Sequence, residues 1–161
     1  MSARGEFRVA AVQATPAYLD REATLDIAAQ HIAAAGADGA NLVAFPESFV
    51  PGYPDWVWRM TAAQDGAWYH RFQDQAVEID GPHLDKARAA AEAAGVWVAL
   101  GITERTSSGT LYNAVVYIDD RGEVAGLHRK LIPTAAERTV WSNGQGPMLT
   151  ELLKDEGVPA V

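Results

Sequence analysis

The sequence predicts an α/β fold, one sheet with helices laid on a face of it, and three observations carry that reading. Short continuous apolar runs recur at "FRVAAVQA" (7–14) and "NLVAF" (41–45). Helical periodicity fills the gap between them and returns after Pro82. Three consecutive strand-like runs then close the pattern, giving the order β-α-β-(α)-α-β-β-β.

Each element has its own signal. Asp20 is placed to cap a helix whose apolar positions Leu25, Ala28, Ala29 and Ile32 fall on one stripe, with Gly36 as its stop. Residues 46–55 must be loop, because Pro46, Pro51 and Pro54 neither donate to a ladder nor continue a helix. Residues 56–78 read as helical and are rich in aromatics, among them Trp56, Trp58, Trp68, Tyr69 and Phe72. Pro82 opens a further helix with Leu84, Ala87, Ala91 and Ala94 on one face and Gly95 at its end. "VWVALGI" (96–102), "LYNAVVYI" (111–118) and "EVAGLHR" (123–129) read as strands, the last two joined through "DDRG". The tail predicts at most a short helix, 149–154.

Composition narrows the function. With 161 residues, 48% hydrophobic and 21% charged, the chain reads as a globular domain. Its net charge of -8 argues against nucleic-acid and anionic-membrane partners, which need a basic surface. No run approaches the length of a membrane span, and the N-terminus turns polar at Gln13, so the expected compartment is the cytoplasm. There is no cysteine, which excludes a disulfide framework and a thiolate metal site. His31, His70, His83 and His128 show no metal-ligand spacing, and no nucleophile elbow, phosphate loop or zinc-protease motif is present.

Two constellations can carry chemistry. Glu47 follows an apolar strand directly, where α/β sheets often carry sites, and the prolines behind it restrict its loop. It is either a fixed general base or an acid on a surface loop. Lys130 ends the last strand in "LHRKLIPTAAER". It can stabilise a developing anion, or, with His128 and Arg129, merely solvate a strand end. Glu137 is a third polar member or an ordinary acid in a first helical turn. "NGQG" (143–146) reads as a turn, and the aromatics at 53–72 read as core or interface.

Taken together, "VAAVQATP", "FPESFVPGYPDWVW", "GITER", "LYNAVVYID" and "GLHRKLIPTAAERTVWSNGQG" resemble the nitrilase branch of the carbon–nitrogen hydrolase superfamily. The resemblance implies the first half of an α-β-β-α sandwich. Residues 1–146 would be the N-terminal part of the domain and 147–161 a divergent tail. By the same resemblance Glu47 matches the general base, Lys130 the group that stabilises the tetrahedral intermediate, and Glu137 the second glutamate near the site. Tyr53 and Trp56 fall where the family builds part of its substrate pocket. The implied reaction converts an organic nitrile to a carboxylic acid and ammonia with no cofactor, through a cysteine thioimidate. That cysteine is absent here, and the hydroxyls of Ser48 and Thr134 are poor substitutes for a thiolate. The chain is therefore expected to be inactive alone, needing a C-terminal half, and to form homo-oligomers as family members do. The alternative is a non-catalytic pseudo-hydrolase that associates with full-length relatives.

Overall fold

The computed structural model describes residues 6–61 and 63–145. Five strands form one mixed sheet in chain order: β1 (Val9–Ala11), β2 (Leu42–Ala44), β3 (Trp97–Arg105), β4 (Leu111–Ile118) and β5 (Val124–Arg129). The first three run parallel, joined by two helical crossovers, and β3 to β5 form an antiparallel meander. β1 and β2 are shorter than the apolar runs that encode them, because the ladder ends where Pro46 and the residues beyond Ala11 leave the sheet. The tail helix expected at 149–154 lies outside the described residues.

Helix α1 (Arg21–Ala37) begins as read, with Asp20 accepting from the Ala23 amide at 3.0 Å. It does not stop at Gly36. That glycine stays inside the last turn because the later helix over Asp85–Ala94 crosses there, and a Cβ on it would stand 2.8 Å from Ala94 Cβ. The chain reverses instead at Gly39, in the left-handed region with φ 78°. Helix α3 (Asp85–Ala94) follows a 3-10 turn at Pro82–Leu84 and ends as read, with Gly95 left-handed and its N–H on the Ala91 and Glu92 carbonyls.

The helix expected over 56–78 is broken in two. A 3-10 turn covers Asp55–Trp58, and α2 starts only at Gly66 and runs to Gln75. Between them the Gln64 side chain accepts from both the Thr61 amide and the Thr61 hydroxyl, a local bond that competes with helix.

The two faces of the sheet differ. Val98, Leu100, Ile102, Ala114, Val116 and Ile118 meet Leu25, Ala28 and Ile32 of α1 and Ala87 and Ala91 of α3 in the main core. Each fully buried branched aliphatic there contributes about 1.5–3 kcal/mol. On the opposite face the aromatics form a second core, with Trp56, Phe72, Leu111, Val140 and Trp141 buried together. Elsewhere on that face Ala99, Val115, Tyr117 and His128 are only half-buried. Among the described residues no helix is long and apolar enough to cross a membrane.

Candidate active site

The partly open face carries the polar residues singled out in the sequence. Glu47 arrives on a loop laid across β3 rather than hanging free beyond β2. The Phe45 amide donates to the Ala99 carbonyl at 2.9 Å, Val50 to Gly101 at 3.1 Å, and Thr103 returns a bond to Val50 at 2.8 Å. This close passage requires Gly101, since a Cβ there would stand 2.0 Å from the Pro46 carbonyl oxygen. Ser48, beside Glu47, is fully buried with φ 48°, a conformation that costs a non-glycine about 1–2 kcal/mol. Its hydroxyl holds it there, donating to the Gly52 carbonyl at 3.2 Å and lying 3.1 Å from the Thr103 hydroxyl. The loop is thus stiffened by bonds to β3 as well as by its prolines.

Lys130 is the residue after β5, and strand alternation decides which way it points. Arg129 faces the helix side, where it makes a bidentate pair with the buried carboxylate of Glu104 at 2.6 and 2.5 Å and lies over the Tyr112 ring at 4.1 Å. Lys130 turns to the open side. Its amide donates to the Asn113 carbonyl at 2.8 Å, and its own carbonyl accepts from Gly144 at 3.0 Å. A Cβ on Gly144 would lie 2.6 Å from that carbonyl oxygen, so the "NGQG" turn is pressed onto the lysine backbone.

The Lys130 ammonium sits between two carboxylates, 2.9 Å from Glu47 Oε1 and 2.8 Å from Glu137 Oε2. Glu137 is 4% exposed and belongs to a short 3-10 turn, Ala135–Thr139, that opens with a capping box. In it the Thr134 amide donates to Glu137 Oε2 at 2.6 Å. The Tyr53 hydroxyl donates to Glu137 Oε1 at 2.8 Å and accepts from Trp58 Nε1 at 3.0 Å. Burial pushes the Glu137 carboxyl up, but Lys130, the Thr134 N–H and Tyr53 together outweigh it and hold the group below its ordinary value. Burial likewise pulls the Lys130 ammonium down, and its bonds to Glu137 and Glu47 reverse this and hold it above. Lys130 therefore serves as a fixed cation near neutral pH. Tyr53 is raised, first by burial and also by the Glu137 and Glu47 charges against the donation from Trp58, so it remains a phenol that donates.

The structure brings Glu47, Lys130, Glu137 and Tyr53 into one network. Trp56 has no bond to that network: it is 5% exposed, stacked on Trp68 and edge-on to Phe72, with its Nε1 unpartnered among the described residues. The Glu47 side chain is half exposed, because the open face leaves one side of it to solvent. One residue that the sequence reading passed over belongs here, and His128 joins it. Asn113, 5% exposed in β4, donates through Nδ2 to Glu47 Oε1 at 2.6 Å. Its signal was available as an amide inside an otherwise apolar strand. His128 lines a shallow open cleft of about 250 Å³ with Glu47, Asn113, Ala114, Val115 and Lys130. Among the described residues no group of three or more His, Asp or Glu side chains is placed to hold a metal.

A fixed ammonium is thus held between two acids, one buried and one opening on a cleft, over a sheet whose first three strands run parallel. The chain belongs to the carbon-nitrogen hydrolase family, whose model matches residues 8–155. It is 39% identical over 149 residues to a nitrilase of Bacillus sp. (strain OxB-1), covering 92% of this chain and 43% of that protein. It is 39% identical over 141 residues to an aliphatic nitrilase of Rhodococcus rhodochrous, covering 87% of this chain and 38% of the other. Among solved structures, a double mutant of the amidase from Nesterenkonia sp. AN1 in complex with acrylamide superimposes with a TM-score of 0.63 at 22% identity. That match covers 91% of this chain and 52% of the amidase. The chain thus spans about half the length of the relatives it matches, and its fold is the corresponding half of the α/β architecture they share.

Proposed function

We propose that these residues form the base-and-cation half of a nitrile-hydrolysing site. The observation that carries the reading is the Lys130 ammonium held between Glu47 and Glu137. A nitrile carbon is a weak electrophile, so attack needs a thiolate, a base to generate it and a cation to hold the charge that develops. Glu47 takes the thiol proton. The sulfur–carbon bond forms as the nitrile nitrogen gains charge and is protonated, giving a thioimidate. A first water adds to it, ammonia leaves, and a second water releases the acid, with Lys130 stabilising each tetrahedral intermediate. Glu137 holds Lys130 in place, and Tyr53 orients Glu137. Trp56 does not line the cleft; it supports substrate binding indirectly, as part of the second core against which Tyr53 packs.

These 161 residues hold no cysteine, so the thiol comes from polypeptide not among them, whether continuous with this chain or brought by an associated family member. The sequence likeness to nitrilases supports a nitrile over an amide as substrate. Assembly as a homo-oligomer in the cytoplasm is part of the same proposal.

The test mixes the 161-residue chain with a polypeptide carrying a family C-terminal half and its cysteine, and measures ammonia released from nitriles and from amides. The chain alone should release none. The mixture should act on nitriles, and Glu47→Ala or Lys130→Met should lower that rate by about 10²-fold or more. Nitrile hydrolysis by the cysteine-free chain alone would refute the need for a thiol. Release from amides only would refute the substrate. A stably assembled but inert mixture would leave the non-catalytic partner reading in its place.

A further inference from the structure

The reading of Glu47 as the base leaves open what aims its carboxylate, since its side chain is half exposed and sits on a loop. Both bonds that fix it end on the same oxygen: Asn113 Nδ2 at 2.6 Å and Lys130 Nζ at 2.9 Å both meet Oε1. Among the described residues no side chain is bonded to Oε2.

Asn113 is better placed for this than any other residue of the sheet. It is buried in the middle layer of the site, between β3 and β5. Across one edge it pairs with Thr103, whose hydroxyl meets Ser48, the residue beside Glu47. Across the other edge its carbonyl accepts the Lys130 amide. One residue therefore fixes the backbone of the cation through its main chain and the carboxylate through its side chain. An amide can do this where a hydroxyl or an acid would not: it reaches far enough, it donates, and it adds no charge beside two carboxylates and one ammonium.

We propose that Asn113 is the positioning residue for Glu47, locking Oε1 against Lys130 so that Oε2 is the oxygen left to take a proton in the cleft. This rests on the base assignment for Glu47, but its test needs no catalysis. The chain is labelled with 13C at lysine Cε, and Lys130 is titrated by NMR with Lys86 as internal reference. In Asn113→Leu, Glu47 swings into solvent and Lys130 keeps only Glu137. Its titration midpoint should then fall by about half a pH unit, as it should in Glu47→Ala. In the double variant the fall should be no larger than in Glu47→Ala alone, because Asn113 acts through Glu47. A Lys130 midpoint unmoved in Asn113→Leu, or effects that add in full, would overturn the proposal.

Asn113 is buried, so its replacement risks the fold, and a second measurement uses the half-exposed partner instead. In the wild-type chain one Asn113 side-chain N–H proton should be shifted downfield by its carboxylate acceptor, and Glu47→Ala should remove that shift. A resonance that stays put would also overturn the proposal. Absence of ammonia release in the mixing experiment would refute the catalytic reading while leaving these NMR outcomes free to stand or fall alone.

Discussion

Replacing Gly101 by alanine should cost the fold about 3 kcal/mol and displace the Glu47 loop, although the added group is one methyl in the middle of a strand. The magnitude follows from what that methyl meets. An ideal Cβ lies 2.0 Å from the Pro46 carbonyl oxygen and 2.9 Å from both Pro46 C and Ser48 N, all of them backbone atoms. Pro46 must retreat by more than about 1 Å to restore van der Waals contact, an overpacking cost of about 1–3 kcal/mol. The retreat breaks the Val50-to-Gly101 bond and strains the Phe45-to-Ala99 bond, each worth about 1 kcal/mol. Restricting the unfolded chain returns about 0.4–1 kcal/mol. Gly66 is the control: nothing lies within 4 Å of its Cβ position at the start of α2, so Gly66→Ala should be neutral or stabilising by up to about 1 kcal/mol. Urea unfolding followed by tryptophan fluorescence reads both, since Trp56 and Trp141 are buried. A Gly101→Ala unfolding free energy within about 0.5 kcal/mol of wild type would refute the claim that the loop rests on the strand.

Two further outcomes follow from the ion pairs. The folded Glu137 carboxyl sits below its ordinary 4.5, so the stability it contributes is complete above that value and is lost as pH falls through the depressed folded value. Glu137→Gln should therefore lose less stability than wild type when urea midpoints at about pH 6 and about pH 3.5 are compared, and an equal loss would contradict the assignment. Arg129→Lys keeps the charge but cannot reproduce the fork on Glu104 or the stacking on Tyr112. It should cost about 1–2 kcal/mol in the same assay, and a change within about 0.3 kcal/mol would show that charge alone suffices there.

The fold was legible where local chemistry acts alone. Asp20 and Gly95 mark their helix ends, and β4 spans the residues its pattern marks. It was illegible where packing decides. Gly36 carries a stop signal but serves a helix crossing, and the helix expected over 56–78 is broken because the aromatics at 56 and 72 gather into a second core rather than onto one helix stripe. Glu47, Lys130 and Glu137 could each be noticed, the last through Thr134 and the three-residue spacing of its capping box. That they share one ammonium depends on sheet order, which no local pattern encodes. Asn113 was missed because β-periodicity registers a strand and ignores one amide within it, whose partner lies 66 residues away.

That separation has a consequence for how the network exists in time. Its long-range bonds join residues 66, 83 and 84 positions apart, and they tie the loop of Glu47 and Tyr53 to β4, to the end of β5 and to the turn that carries Glu137. The Lys130–Glu137 and Thr134–Glu137 bonds are local, so a chain that opens elsewhere can keep that pair but loses its bonds to Glu47 and Tyr53. Amide hydrogens such as that of Lys130, bonded across β4 and β5, should exchange with solvent only through global opening. The three long-range bonds thus act as a gauge of the whole sheet, formed only when it is.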